Sequence, residues 1–231
     1  MKYPVVILHG WKKEGKDYNE IQKILEKEGY DVFAPDLPGF GNEKLQKDPM
    51  TVNDYVNFVM SFLHKKSIKK AIFICHSFGG RVGIKLAVAH PDVFSHLILT
   101  GVPGIRQPLS FKKKIISNFS VVVKKILKDN DFARKILYRL LHEMDYYYAE
   151  DMRNTFLVVI NEDLKKYLSQ IHVPTTLIWG GIDMFVPTWI AKNMKNSIKD
   201  ATYIEIPNTT HKLPYERPEL FIKQVLSVIN K

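Results

Sequence analysis

Three side chains set far apart in the chain have the types and order that acyl transfer by a serine requires: Ser77, Asp183 and His211. Ser77 lies in Cys75-His76-Ser77-Phe78-Gly79, between the apolar run Ala71–Ile74, a buried strand, and Gly80–Ala87, which reads as a helix. A strand-turn-helix corner of this kind holds a hydroxyl above the sheet edge and aims backbone N–H groups at the same spot. The chain folds back on itself there, so the residues two before and two after the serine must be small. Gly79 meets that need; Cys75 stands where a glycine is usual, yet is itself small. A lone serine is a weak nucleophile and needs a base held by an acid. Asp183 follows the apolar run that ends at Trp179, and His211 follows the one that ends at Ile206. His211 would take the Ser77 proton during attack, and Asp183 would fix the imidazole tautomer.

The elements that must position these groups alternate regularly. Pro4–Leu8 reads as a strand, and Ile21, Ile24 and Leu25 recur at helical spacing until Gly29. Asp31–Ala34 is a second strand, left through the turn-rich Pro35–Gly41. Thr51 with Asp54 three residues on reads as a helix start, followed by an apolar face from Val52 to Leu63. After the serine corner, Ser95–Thr100 is the next strand. The rhythm breaks between about Ile105 and Gln170, where apolar residues recur every three or four positions, and resumes at Val173–Trp179. A helix over Trp189–Ile198, a strand over Ala201–Ile206 and a helix over Pro218–Ile229 close the chain. Alternation of this kind predicts an α/β fold with six parallel strands and helices on both faces. Residues 1–104 and 171–231 form the core, and 105–170 an inserted helical cap.

With 231 residues and 45% apolar content, the chain can bury a full core. A single cysteine leaves no intrachain disulfide, and no long apolar run suggests a leader or a membrane span, so a cytoplasmic protein is expected. The eight histidines show no metal-ligand spacing such as HExxH, and no metal or cofactor is expected. The net charge of +10 is concentrated: residues 106–139 hold ten Lys or Arg against Asp129 and Asp131. A solvated helix face accounts for such a run, and so does a docking surface for an anionic partner, either an acidic carrier protein or a membrane surface. No nucleic-acid motif accompanies the charge.

Five stretches together carry a resemblance. They are His9-Gly10-Trp11, Gly29–Gly41, His76–Gly80, Trp179–Asp183, and His211 with Glu216-Arg217-Pro218-Glu219. The chain resembles the α/β-hydrolase superfamily, in the branch that carries a cap and a serine nucleophile. The resemblance implies that backbone N–H groups of Trp11 and Phe78 form the oxyanion hole. It also implies a hairpin ahead of the first strand, for which this sequence offers no match, so Asp31–Ala34 should lie near a sheet edge.

The resulting expectation is a serine esterase that forms an acyl-enzyme on small to medium acyl chains, as monomer or homodimer. Phe111, Phe119, Phe132 and Phe156 are candidates for an apolar pocket under the cap. Carrier-protein methyl-ester hydrolases look similar in the His9-Gly10-Trp11 loop and basic cap; a C–C hydrolase, thioesterase or lactonase would use the same triad. A hydrolase-fold ligand receptor is the non-enzymatic alternative. A serine rather than an aspartate nucleophile argues against epoxide hydrolase and haloalkane dehalogenase chemistry. His9 and His76 read as structural, Asp36 as a turn residue, and Cys75 as an inert buried thiol.

Overall fold

The computed structural model describes residues 2–105 and 152–230. Elements are numbered here over those residues. Six strands form one parallel sheet in the order β2-β1-β3-β4-β5-β6. They are β1 (Val5–Leu8), β2 (Val32–Phe33), β3 (Ala71–His76), β4 (Phe94–Thr100), β5 (Thr175–Gly180) and β6 (Thr202–Ile206). The helices are α1 (Asn19–Lys27), α2 (Val52–Lys65), α3 (Phe78–Ala89), α4 (Arg153–Asn161), α5 (Lys165–Leu168), α6 (Thr188–Ser197), α7 (Leu213–Glu216) and α8 (Pro218–Ile229).

The near-continuous apolar strands are explained by burial on both faces, since successive side chains point to opposite sides of a sheet. Val6, Leu8, Phe73, Cys75, Leu97, Leu99 and Trp179 join one core cluster with buried residues of α2, α3 and α6. Val5, Ile7, Ile72, Ile74, Ile98 and Ile178 join the other, with Ile21 and Leu25 of α1 and Phe221, Ile222 and Val225 of α8. Two helical layers thus enclose the sheet, as the alternation predicts.

At the edge, β2 pairs only with β1 and is two residues long, shorter than the four expected. The ladder joins Val32 and Phe33 to Val5 and Val6 and leaves the second half of β1 unpaired on that side. The helix start at Thr51 is a reciprocal cap: its hydroxyl accepts from Asp54 N–H, and Asp54 accepts from Thr51 N–H.

The serine corner is tighter than the sequence pattern suggests. Strand β3 runs on through His76 and α3 begins at Phe78, so Ser77 alone makes the turn. Its φ of 51° and ψ of −111° lie where few non-glycine residues go, a strain of about 1–3 kcal/mol. Gly79 is required by close approach: a β-carbon there would lie 2.1 Å from the Leu8 carbonyl oxygen. The departure at Cys75 is absorbed one helical turn further on. A β-carbon at Gly83 would lie 2.6 Å from Cys75 Sγ, so the bare backbone of α3 makes room for the thiol. Cys75 is fully buried and burial pushes its thiol pKa up, as expected of an inert packing residue.

Most of the expected cap, including Phe111, Phe119, Phe132 and the basic run over 106–139, lies outside the described residues. Among the described residues, no helix is long and apolar enough to cross a membrane.

Candidate active site

Parallel strands deliver their C-terminal ends to one edge of the sheet, and the three chemistry-bearing residues gather there. Ser77 leaves β3, Asp183 lies three residues past β5, and His211 follows β6. His211 Nε2 lies 3.1 Å from Ser77 Oγ, and His211 Nδ1 lies 2.8 Å from Asp183 Oδ2. Asp183 is 4% exposed. Its other oxygen, Oδ1, accepts from the Phe185 N–H at 2.9 Å and the Val186 N–H at 2.7 Å. The carboxylate is therefore oriented by the turn that follows it, which leaves Oδ2 for the imidazole. An Nδ1–H donated to Asp183 puts the lone pair of Nε2 toward the Ser77 hydroxyl, the arrangement a general base needs.

A second hydrogen-bonded chain holds this one in place. Gly10 N–H donates to the Tyr18 hydroxyl at 3.3 Å, and that hydroxyl lies 2.7 Å from His76 Nδ1. His76 Nε2 lies 3.0 Å from the His211 carbonyl oxygen. One tautomer serves both contacts: Nδ1 accepts from Tyr18 and Nε2–H donates to His211. His76 is therefore the structural residue that its sequence suggested, and its target is the backbone of His211. Burial, followed by the nearby His211, pushes its pKa down to about 3 and keeps the ring neutral. His9 is structural as well. Its Nε2 accepts from Leu37 N–H at 2.8 Å and its Nδ1 contacts Gly10 O at 2.8 Å. Asp36 accepts from Gly15 N–H and Asn42 N–H and has no part in the serine chain.

Two cavities open on Ser77 and His211. One, of about 200 Å³, is walled by Trp11, Phe78, Phe156, Val159 and Val186. The Trp11 ring packs against Phe40, Phe78 and Phe156, with centroids 5.0–5.3 Å apart. Of the four phenylalanines expected in a pocket, Phe156 is thus at the site, while Phe111, Phe119 and Phe132 lie outside the described residues. The other cavity, of about 170 Å³, is bordered by Lys13, Lys212, Tyr215 and Phe185.

Helix α4 supplies one wall of the first cavity, and both its ends are tied to the core. Near its start, the Thr155 hydroxyl accepts from Met50 N–H at 2.9 Å and donates to Asp48 Oδ1 at 3.0 Å. At its end, Arg81 Nη1 donates to Val159 O at 2.8 Å and to Glu162 O at 3.0 Å, capping carbonyls at the last turn. Lys85, one turn along α3, pairs with the Glu162 carboxylate. Arg81, Lys85, Tyr18, Lys13 and Tyr215 were missed by sequence reasoning. Arg81 and Lys85 carried one available signal, two cations at i and i+4 on a helix that is otherwise apolar and small.

The comparisons with known proteins agree with the fold. A family profile described as "Serine aminopeptidase, S33" matches residues 1–218. An uncharacterized hydrolase, YugF, of Bacillus subtilis (strain 168) is 25% identical over 97% of this chain and 89% of its own length. A pimeloyl-[acyl-carrier protein] methyl ester esterase of Wigglesworthia glossinidia brevipalpis is 26% identical over 98% of this chain and 93% of its own. Among solved structures, the esterase EaEST from Exiguobacterium antarcticum superposes with a TM-score of 0.78 at 18% identity, over 99% of this chain and 92% of that one. The fold, the match along nearly the whole chain and the serine corner lead to one assignment: the chain belongs to the α/β-hydrolase superfamily, in the hydrolase family described as serine aminopeptidase S33.

Proposed function

We propose that this hydrolase cleaves carboxylic esters with a short apolar acyl group through a Ser77 acyl-enzyme. The observation that carries the reading is the unbroken chain Ser77 Oγ–His211–Asp183 beside an apolar cavity of about 200 Å³. His211 Nε2 takes the hydroxyl proton as Ser77 Oγ bonds to the carbonyl carbon. The tetrahedral intermediate collapses with loss of the alcohol, to which His211 returns the proton. Water then attacks the acyl-enzyme with His211 again as base, releasing the acid and restoring Ser77. The sequence calls for no metal or cofactor in this cycle.

The oxyanion is assigned to the backbone N–H groups of Trp11 and Phe78. Phe78 is the first residue of α3, and the first N–H groups of a helix lack partners within it. Trp11 faces it across touching rings 5.3 Å apart. A donor of this kind is typically worth about 3–4 kcal/mol in the transition state. A cavity of this size suits an acyl group of a few carbons, being smaller than the usual drug-sized site. Residues 105–170 are read as the cap over this opening.

The esterase names of the carrier-protein relative and of EaEST support ester chemistry. The relative's name also favours a second reading, in which the ester belongs to an acyl chain on an acidic carrier that meets the basic segment. Reversal of Lys112, Lys113 and Lys114 to Glu would then lower activity on a carrier-bound substrate only, and an equal loss on small neutral esters would remove that reading.

The primary reading is tested on p-nitrophenyl acetate and butyrate. Wild type should turn both over, and Ser77→Ala should abolish hydrolysis with the fold retained by circular dichroism. A receptor, by contrast, would process them far below about 10 per second.

A further inference from the structure

The two cavities meet at the same reacting groups but differ in what lines them. Both include Trp11, Ser77, Phe185 and His211. Beyond these, the larger continues into Phe78, Phe156 and Val159, and Arg81, its one cation among the described residues, is engaged with the carbonyls of Val159 and Glu162. The smaller continues into Lys13, Lys212 and Tyr215, and no carboxylate among the described residues lines it.

We infer that the smaller cavity is a subsite for an anionic group, a carboxylate or phosphate, on the alcohol arm of the ester. The inference rests on the serine-esterase reading and names the substrate class within it: an apolar acyl arm joined to an alcohol that bears negative charge.

The lysines are loosely held and can be re-partnered. Lys13 Nζ lies 3.5 Å from Asp17 and 4.6 Å from the centre of the Tyr215 ring. Lys212 Nζ lies 3.4 Å from Glu216. Both ion pairs are long, i to i+4 and solvent-reached, so each holds its lysine only weakly. Asp17 and Glu216 are absent from the cavity lining, and Asp183 is engaged with His211. An anion entering the cavity therefore meets two ammonium groups from different elements, the loop after β1 and the loop before α7. Tyr215 also lines the cavity, and burial raises its hydroxyl pKa to about 12, so it adds no negative charge there. The acyl arm is directed the other way because, among the described residues, the lining that the larger cavity does not share is mostly apolar, supplied by α4 and Phe78.

The placement makes a prediction about selectivity. The probes are 4-carboxyphenyl butyrate, its neutral analogue 4-carbamoylphenyl butyrate, and phenyl hemisuccinate, which carries its charge on the acyl arm. The quantity read is kcat/KM for the carboxyphenyl ester relative to the carbamoyl ester, which cancels most effects of folding or of the serine chemistry. Lys13→Met with Lys212→Met should lower that ratio about tenfold relative to wild type, as two partly exposed charge contacts would. Raising ionic strength to about 1 M, where the screening length is about 3 Å, should lower the wild-type ratio in the same direction. A ratio unchanged by both the substitutions and salt overturns the subsite while leaving the esterase reading intact. A lysine-dependent preference for the hemisuccinate overturns the assignment of the charge to the alcohol arm. No turnover of any of the three esters by wild type overturns the subsite and the esterase reading together.

Discussion

The imidazole of His76 donates from Nε2 to the main-chain carbonyl of His211 across 3.0 Å, so the residue beside the proposed nucleophile holds the backbone of the proposed base. Its other nitrogen is held by Tyr18, which also binds Gly10, next to the proposed oxyanion donor Trp11. Ser77, His211 and the Gly10–Trp11 loop are thereby referred to one buried ring.

His76→Ala should lower kcat on p-nitrophenyl butyrate about 10- to 100-fold with a smaller change in KM, since misplacing a base by about 1 Å costs of that order. His76→Gln, whose amide can still donate to the His211 carbonyl, should recover part of the loss. Equal activity for the alanine and glutamine variants would show that the contact has no positioning role.

Stability should depend on pH in a direction that these rings fix. Burial holds the pKa of His76 at about 3 and lowers that of His9, whereas the unfolded chain binds a proton on each ring near pH 6.5. The unfolded state therefore carries more protons below about pH 6.5, and stability falls as pH drops from there toward 3. His76 contributes up to about 1.4 kcal/mol per pH unit in that window, and His9 acts in the same direction. Urea denaturation at pH 7.5, 6.5 and 5.5 reads the slope, and His76→Gln should flatten it.

Cys75 and Gly83 should be coupled. Gly83→Ala places a methyl 2.6 Å from Cys75 Sγ and should cost about 1–3 kcal/mol of unfolding free energy. In a Cys75→Gly background the same substitution should cost much less, because the thiol is gone. A double-mutant cycle by urea denaturation measures the difference, and strict additivity would contradict the packing account.

Arg81→Met leaves the Val159 and Glu162 carbonyls without their guanidinium and loosens the end of α4. The expected result is about 1–3 kcal/mol of lost stability and a several-fold rise in KM for butyrate esters relative to acetate esters. That split reads the wall of the acyl cavity, since a general loss of folded protein would lower both rates alike.

Much of this architecture is legible because burial on two faces writes itself into strand sequence as unbroken apolar runs. Asp183 and His211 could be singled out as candidates because each stands just past such a run, at the strand ends that a parallel sheet gathers on one edge. The contacts that escaped are of another kind. Tyr18 reaches His76 across 58 positions, and Arg81 acts on backbone carbonyls, which carry no residue signature. Gly83 resembles any small helical residue until the thiol facing it is located. The corner at Ser77 was read as longer than it is because pattern marks where strand and helix propensities fade, whereas one strained residue suffices for the turn.

The central claim is that Ser77 is the nucleophile. Stoichiometric labelling with a fluorophosphonate, followed by peptide mass spectrometry, tests it most directly. The account predicts one equivalent of label on the peptide containing Ser77, loss of esterase activity in step with labelling, and no labelling of His211→Ala above background. Label on another residue, or full ester hydrolysis by protein labelled at Ser77, would contradict it.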